Sequence, residues 1–431
     1  MPDEIYELIG VGLGPFNLGL AALLEPISGV NALFLEQKPK FEWHRGLLIE
    51  GTTIQVPFLA DLVTMASPSS RFSFLSYLQA QSRLYHFYFL EHFHIPRREY
   101  NHYCQWVAEQ LESCRFGERV EAISWQESLG YFEVKTQSST YRCRNLVLGV
   151  GSVPKVPPCF QGLQGEDIFH SAEFLHQRQP LHNSQSITII GSGQSAAEVF
   201  NELLQEQETY GYRLDWHTRS SGFLPMEYSK LGLEHFSPDY IHYFHALPQE
   251  KRDRLLSQQH LLYKGISFST IAQIYDLLYE RSVAGNTPEV RLLPLVEVKE
   301  VEVLTTPNGK RYRLGYRHLH QDKRFTHETD CIILATGYHH QIPDCIDGIR
   351  PLIQWDNQGR YCVNFDYRLA LTQDSPNQIF IQNGELHTHG VGAPDLGLGA
   401  YRNSVIINTL MGRTIYPVQR RNVFQQFGVA S

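Results

Sequence analysis

"ITIIGSGQSAAEVF", residues 187–200, is the stretch whose reading decides the fold. Four residues suited to a strand run into Gly191-Ser192-Gly193. A helical pattern follows, with Ala196, Val199, Phe200 and Leu203 on one face. A strand, a glycine turn and a helix N-terminus in that order cradle the pyrophosphate of a dinucleotide, because free backbone N–H groups and the positive end of the helix dipole point at one spot. The next apolar stretch, "YRLDWHTRS" (212–220), reads as the following strand and ends near Arg219. An arginine there either pairs with a 2′-phosphate, which selects NADP over NAD, or is a plain surface residue.

The same pattern occurs near the start of the chain, in "LIGVGLGPFNLGLAALLE" (8–25). Gly12 permits the tight turn and Gly14 lets the backbone approach a pyrophosphate, while Asn17 stands where a third glycine is usual. A second strand, "NALFLEQ", carries Glu36, 24 residues after Gly12. An acid at that place accepts hydrogen bonds from a ribose hydroxyl. Two loops imply two dinucleotides. With FAD on the first and NADPH on the second, hydride passes from nicotinamide to flavin.

Each loop is followed later by a strand that ends in glycine and meets prolines: "NLVLGVGSVPKVP" (145–157) and "CIILATGYHHQIP" (331–343). This order predicts an α/β protein with two Rossmann-like dinucleotide-binding domains, one interrupting the other. The expected division is 1–163 and 328–431 for FAD, and 164–222 and 285–327 for NADPH, with hinges near 155–165 and 325–330. Residues 223–284 read as a small helical substrate-binding insert. There "FSTIAQIYDLLYE" (268–280) spaces Ile271, Ile274, Tyr275 and Leu278 as one helical face, with serines upstream as caps. In "SPSSRFSFLSYLQAQSRLYHFYFLEHF" (67–93), Phe74, Tyr77 and Leu78 read as core.

Composition narrows the classes. Of 431 residues, 19% are charged and 42% hydrophobic, which is ordinary for a globular protein. The net charge of -8 and the lack of a basic run argue against nucleic acid. No stretch approaches the roughly 18 apolar residues of a membrane span, and no signal peptide is evident. Seven cysteines without a CxxC argue for reduced thiols in the cytoplasm, and against a disulfide framework or a dithiol redox centre. Oxygen is then the obvious acceptor for a reduced flavin. Read as extended, His387-x-His389 would point both rings the same way, but no third ligand stands at convincing spacing, so no metal is expected.

Together "GLGPFN", "WHRG" (43–46), "IQVPFLADL" (54–62), "GSGQSAAEVF", "ILATGY" and "HTHG" resemble the flavin-dependent N-hydroxylating monooxygenases of siderophore biosynthesis, the lysine/ornithine N-monooxygenase family. The resemblance spans essentially the whole chain. "PMEYSKLGLEHFSPDYIHYFHALP" (225–248) is similar to the branch acting on aliphatic diamines. The resemblance implies that NADPH reduces FAD, that O₂ forms a C4a-hydroperoxyflavin, and that a neutral primary amine attacks its distal oxygen. It places FAD on Gly12, Gly14, Pro15, Asn17, Glu36, Trp43, His44, Gln55, Val120, Thr336, Gly337 and Leu396. It places NADPH on Gly191, Ser192, Gly193, Gln194, Ser195, Arg219 and Tyr338, with Gln55 near both cofactors and catalytic. It also implies a homo-oligomer, a dimer or tetramer.

The departures point to the substrate. Amino-acid hydroxylases of the family carry a lysine in "FLKDL" that pairs with the substrate carboxylate; here that position is Ala60. Two asparagines that help hold the amino acid align with Leu233 and Ile266. A carboxylate buried there would lack a partner, which costs several kcal/mol. The expected substrate is therefore a diamine, putrescine first and cadaverine or 1,3-diaminopropane next. Tyr228, Glu227 and Glu234 are possible partners for its distal ammonium, or simply structural residues. Other readings are an L-lysine or L-ornithine hydroxylase, a different flavin monooxygenase, and a non-catalytic nucleotide-binding partner in siderophore assembly.

Overall fold

The computed structural model describes residues 4–307 and 309–429. The first strand, β1 (Ile5–Val11), becomes fully buried from Leu8 onward. The helix Pro15–Leu24 follows it, started by proline at its first position, where no N–H is missed. β2 (Ala32–Glu36) pairs parallel to β1. After three helices, β3 (Cys114–Phe116) adds to the β2 edge. β4 (Val120–Gln126), β5 (Tyr131–Thr136) and β6 (Thr140–Leu148) form an antiparallel ladder, and β6 returns parallel to β1. The order is β3-β2-β1-β6-β5-β4.

The chain then leaves through the short β7 (Ser152–Pro154) and builds a second sheet. β8 (Ile168–His170), β9 (Ser186–Ile190), β10 (Arg213–His217) and β11 (Val290–Leu293) belong to it. The helix Gln194–Tyr210 links β9 to β10, and Ala196, Val199, Phe200 and Leu203 are all fully buried on its sheet-facing side, as their spacing predicts. β12 (Val296–Thr306), β13 (Gly309–His318) and β14 (Arg324–Thr329) make a separate antiparallel meander. β15 (Cys331–Leu334) then inserts between β9 and β8, completing a five-stranded parallel sheet. β16 (Tyr338–His340) pairs antiparallel with β7, and β17 (Ile379–Ile381) joins the first sheet beside β6.

Two details differ from expectation. "CIIL" lies in the second sheet, not the first. Four consecutive buried apolar residues suit an interior parallel strand covered on both faces. The second crossing between sheets therefore comes after Leu334, at the β7–β16 ribbon, and not near 325–330. The helical segment has only a small cluster of its own, around Tyr240, Phe244 and Leu262, and otherwise packs on its neighbours. Ile241 packs into the cluster under the helix Pro15–Leu24, and Tyr240 and Phe244 pack with Val391. The helix Phe268–Arg281 packs instead on the second sheet's side, through Ile271, Ile274 and Leu278. Its cap is Ser267, which accepts the Thr270 N–H, while Tyr275 points to solvent at 67% exposure. Phe74, Tyr77 and Leu78 are buried core as expected.

The two sheets are clamped together by polar and steric contacts. Arg97 donates to both oxygens of Glu198, at 2.9 and 2.7 Å, in a buried pair that joins one helix from each side. Gly46 lies so close to the turn at 171–173 that a Cβ would meet the Ala172 carbonyl oxygen at 1.8 Å. That fit explains the glycine in "WHRG". Among the described residues no helix is long and apolar enough to cross a membrane.

Candidate active site

A continuous cleft of about 3500 Å³ runs between the two sheets, and both glycine loops open into it. Gly12 has φ +84°, and a Cβ there would meet the Gly149 carbonyl oxygen at 2.6 Å. A Cβ on Gly14 would meet nothing within 4 Å. The open space above Gly14, at the start of the helix Pro15–Leu24, is the shape a pyrophosphate needs. Asn17 explains its own departure from glycine. Its amide donates to the Gly12 carbonyl at 2.7 Å and accepts from Gln382 at 2.8 Å, so it braces the turn from below. The close approach normally granted by a third glycine is supplied across from it by Gly149, where a Cβ would lie 2.4 Å from the Asn17 side chain. Glu36 ends β2 at the cleft, accepting the N–H groups of Leu13 and Lys38 at 2.9 and 3.0 Å. Pro15, Val120 and Leu396 also line the cleft.

At the second loop Gly191 has φ +150°, and a Cβ would strike the Ala335 carbonyl oxygen at 2.1 Å. The loop is thus fixed by the end of β15. Ser192, Gly193, Gln194 and Ser195 line the cleft. Ser192 is bonded to Ser220 at 2.8 Å. The Gln194 side chain is committed to Ser267, whose N–H it accepts at 2.7 Å. Arg219 is exposed on the cleft, and two cations that the sequence reading missed accompany it. Lys155 and Lys264 also line the cleft. Burial first, then Lys155 and Arg219, push the Lys264 ammonium below the usual lysine range. Three cations on one stretch of the cleft are the chemistry that a phosphate dianion needs. Lys155 follows the first strand exit directly, which was the available signal.

Between the loops lie the residues of the crossing. Trp43 and His44 stack edge to face at 4.6 Å, and His44 meets Tyr338 at 5.9 Å. Burial holds the His44 imidazole down at about 4, so it is neutral near pH 7. Thr336 bonds to the Lys155 carbonyl, and the Gly337 carbonyl accepts from Lys155 at 2.9 Å. These two residues belong to the ribbon joining the sheets, not to a return strand of the first sheet. Tyr338 faces His170 at 5.2 Å, and burial pushes its phenol up to about 12.

At the far end of the cleft Gln55 lies 3.5 Å from the Met226 sulfur, with Tyr228 beside them. Ala60 and Leu233 line this end with Leu59, Phe236 and Leu396. Asp61 of "FLADL" is turned inward, accepting the N–H groups of Val63, Thr64 and Phe74. Two expectations, for Ile266 and for the His387–His389 pair, need correction, while Glu227 and Glu234 take the structural role that was open to them. Ile266 does not line the cleft; it is fully buried in the second sheet's core, because its backbone pairs with Leu224 and Met226. Glu227 caps Ser229, and Glu234 anchors the C-terminal segment through the N–H groups of Phe424 and Gln425, so neither faces the cleft. His387 and His389 lie on a helical turn, not a strand, so they do not point the same way. Each is bonded to a carbonyl, of Tyr361 at 2.8 Å and of Phe365 at 3.2 Å.

Comparison with known proteins agrees with this geometry. The family model for L-lysine 6-monooxygenase/L-ornithine 5-monooxygenase matches residues 4–340. The rhizobactin siderophore biosynthesis protein RhbE of Rhizobium meliloti is 46% identical, over 99% of this chain and 96% of its own length. A putrescine N-hydroxylase of Shewanella oneidensis is 45% identical, over 98% and 84%. The crystal structure of DfoA, the cadaverine monooxygenase of Erwinia amylovora bound to FAD, superposes with a TM-score of 0.95 at 43% identity, covering 100% of both chains. The chain belongs to the L-lysine 6-monooxygenase/L-ornithine 5-monooxygenase family.

Proposed function

We propose that this protein is an NADPH-dependent flavin monooxygenase that N-hydroxylates one primary amine of an aliphatic diamine, for hydroxamate siderophore biosynthesis. Putrescine is the first substrate, with cadaverine or 1,3-diaminopropane next. Gly12 to Asn17 and Glu36 would hold FAD on the first sheet, with Glu36 accepting from a ribose hydroxyl. Gly191 to Ser195 would hold NADPH on the second sheet, with Arg219, Lys155 and Lys264 for its 2′-phosphate. Bound FAD, once reduced by NADPH, would supply activated oxygen from O₂ to the amine.

The chain's own part is to bind and orient the amine and to exclude water. A protonated amine has no lone pair to attack with. A desolvated apolar end of the cleft lowers the amine pKa and favours the reactive form. Gln55, beside Met226 and Tyr228, orders the polar edge of that end. The protein works in the cytoplasm as a homo-oligomer, with a second copy covering the exposed helix Leu84–Leu90.

One observation carries the choice of substrate. The cleft-lining residues of 54–65, 224–236 and 394–397 include no lysine or arginine. An α-carboxylate would have no fixed cation there, and a diamine needs none. The test is coupled hydroxylamine formation with 1,3-diaminopropane, putrescine, cadaverine, lysine and ornithine. A diamine should exceed both amino acids in kcat/KM by at least about 100-fold, the size of one charged contact of ~3 kcal/mol. Coupled hydroxylation of ornithine or lysine at parity overturns the reading.

A further inference from the structure

A diamine bound with one end ready to react carries an ammonium at the other, and that charge needs an acceptor in a partly desolvated cleft. Among the described residues, the carboxylates lining the cleft are Glu36, Glu42, Glu118, Glu121, Glu173, Glu297, Asp344 and Asp395, and of these only Asp395 belongs to the wall beside Ala60. A Cβ placed on Gly397 would lie 2.8 Å from the Asp395 carboxylate and 3.8 Å from the Ala60 methyl. The carboxylate and the methyl are thus separated by little more than a glycine's empty side.

The rival acids near this end are already committed. Asp61 accepts three backbone N–H groups and the Thr64 hydroxyl from behind the wall. Glu385 is fully buried against Arg402, at 3.2 Å. Arg402 is the cation that faces Asp395, but it is held by Glu385 and the Ala393 carbonyl. The other groups facing Asp395 are the N–H groups of Gly397 and Leu398.

We propose that Asp395 accepts the ammonium of the non-reacting amine and so selects a diamine over a monoamine or an amino acid. This rests on the diamine reading above. The wall that carries a lysine in the amino-acid hydroxylases carries a methyl here, and the adjoining charge is negative. An α-carboxylate would meet Asp395 as a like charge, so the residue also repels the wrong substrate. The shift of the Asp395 carboxyl supports the assignment. Burial pushes it up to about 6, the state of a carboxylate short of a partner. Diamine kcat/KM should therefore fall as pH drops through about 6, because protonation removes the acceptor.

Asp395→Asn keeps the shape and removes the charge. Compared with the unaltered enzyme, it should lose about 10- to 100-fold in kcat/KM for putrescine, chiefly through KM. It should change n-butylamine, which lacks the second ammonium, by less than about 2-fold, and lose the acidic limb of the putrescine profile. Asp395→Glu should retain most of the preference for putrescine. Unchanged putrescine kinetics in Asp395→Asn overturns the proposal. So does an equal loss for both amines, which marks a structural role. If the unaltered enzyme forms no hydroxylamine from any diamine, the diamine reading itself has failed, and that is read before any variant is compared.

Discussion

Arg219 and Asn17 mark the limits of reading single residues. The arginine's place at a strand end is visible in the sequence, but a strand end does not say which other charges converge on it. Lys155 comes from the first crossing and Lys264 from the helical segment, and only the fold brings them to Arg219. Asn17 looked like a weakened glycine motif. Its carboxamide is instead a brace that needs Gly149, more than 130 residues away, to make room. The proposed phosphate site has a measurable consequence. With two lysines left in place, Arg219→Ala removes one of three charges, not all of the binding. KM for NADPH should rise about 10-fold, near the lower range for one charged hydrogen bond, while KM for NADH stays unchanged. An unaltered preference for NADPH over NADH would remove Arg219 from the phosphate site.

At the scale of elements, the legible parts were those with a strong period or a fixed turn. β1, β9 and the helices after them followed from glycine spacing and a single buried face. β15 was legible as a strand but not in its sheet, because a short apolar run fits either core equally well. "HTHG" was read as extended, yet capping by the Glu385 carbonyl winds it into a turn. The second sheet also conceals a polar layer. Arg213, Asp215 and His217 alternate along β10 onto one face, where β13 and β14 cover them with Tyr316 and His327. Asp215 bridges Arg213 at 2.8 Å and His327 at 3.1 Å, while His217 bonds Tyr316 at 2.8 Å. Arg213 occupies the position of a cation beside the Asp215 carboxylate, so no ion is needed to balance it. Burial, with His327, Arg291 and Arg213 adding to it against Asp215, holds His217 down at about 3. A histidine with a depressed folded pKa takes up its proton on unfolding. Its contribution is intact above about 6.5 and is lost as pH falls toward 3. His217→Gln should therefore lower the slope of unfolding free energy against pH by up to ~1.4 kcal/mol per unit between those limits. An unchanged slope in a denaturant series at several pH values would mean that His217 is not buried neutral.

At the scale of the molecule, the cleft exists because two sheets are held apart at one ribbon and held together by Arg97, Glu198 and the tight seat of Gly46. That arrangement satisfies both cores but leaves an aromatic helix without cover. The helix Leu84–Leu90, "LYHFYFL", has no buried residue. Tyr85, Tyr88 and Phe89 are 78%, 70% and 73% exposed. Leu84, Leu90, Phe93 and Met65 are exposed as well, and Phe93 and Met65 also line the cleft. Contiguous exposed aromatic surface of this kind marks an interaction site more often than free surface. A membrane surface is the poorer fit, because the flanking Arg83 is spent on Glu99 at 2.5 Å and Glu91 follows the helix. We infer that a second copy of the chain covers this surface, because aromatic side chains are enriched at such interfaces. Light scattering of the unaltered protein should give a mass of at least two chains. Tyr88→Glu with Phe89→Glu should halve it or more, leaving FAD content unchanged, since neither side chain lines the cleft. A monomeric mass for the unaltered protein across micromolar concentrations would overturn the assignment, and vesicle binding by that monomer would give the surface to lipid instead.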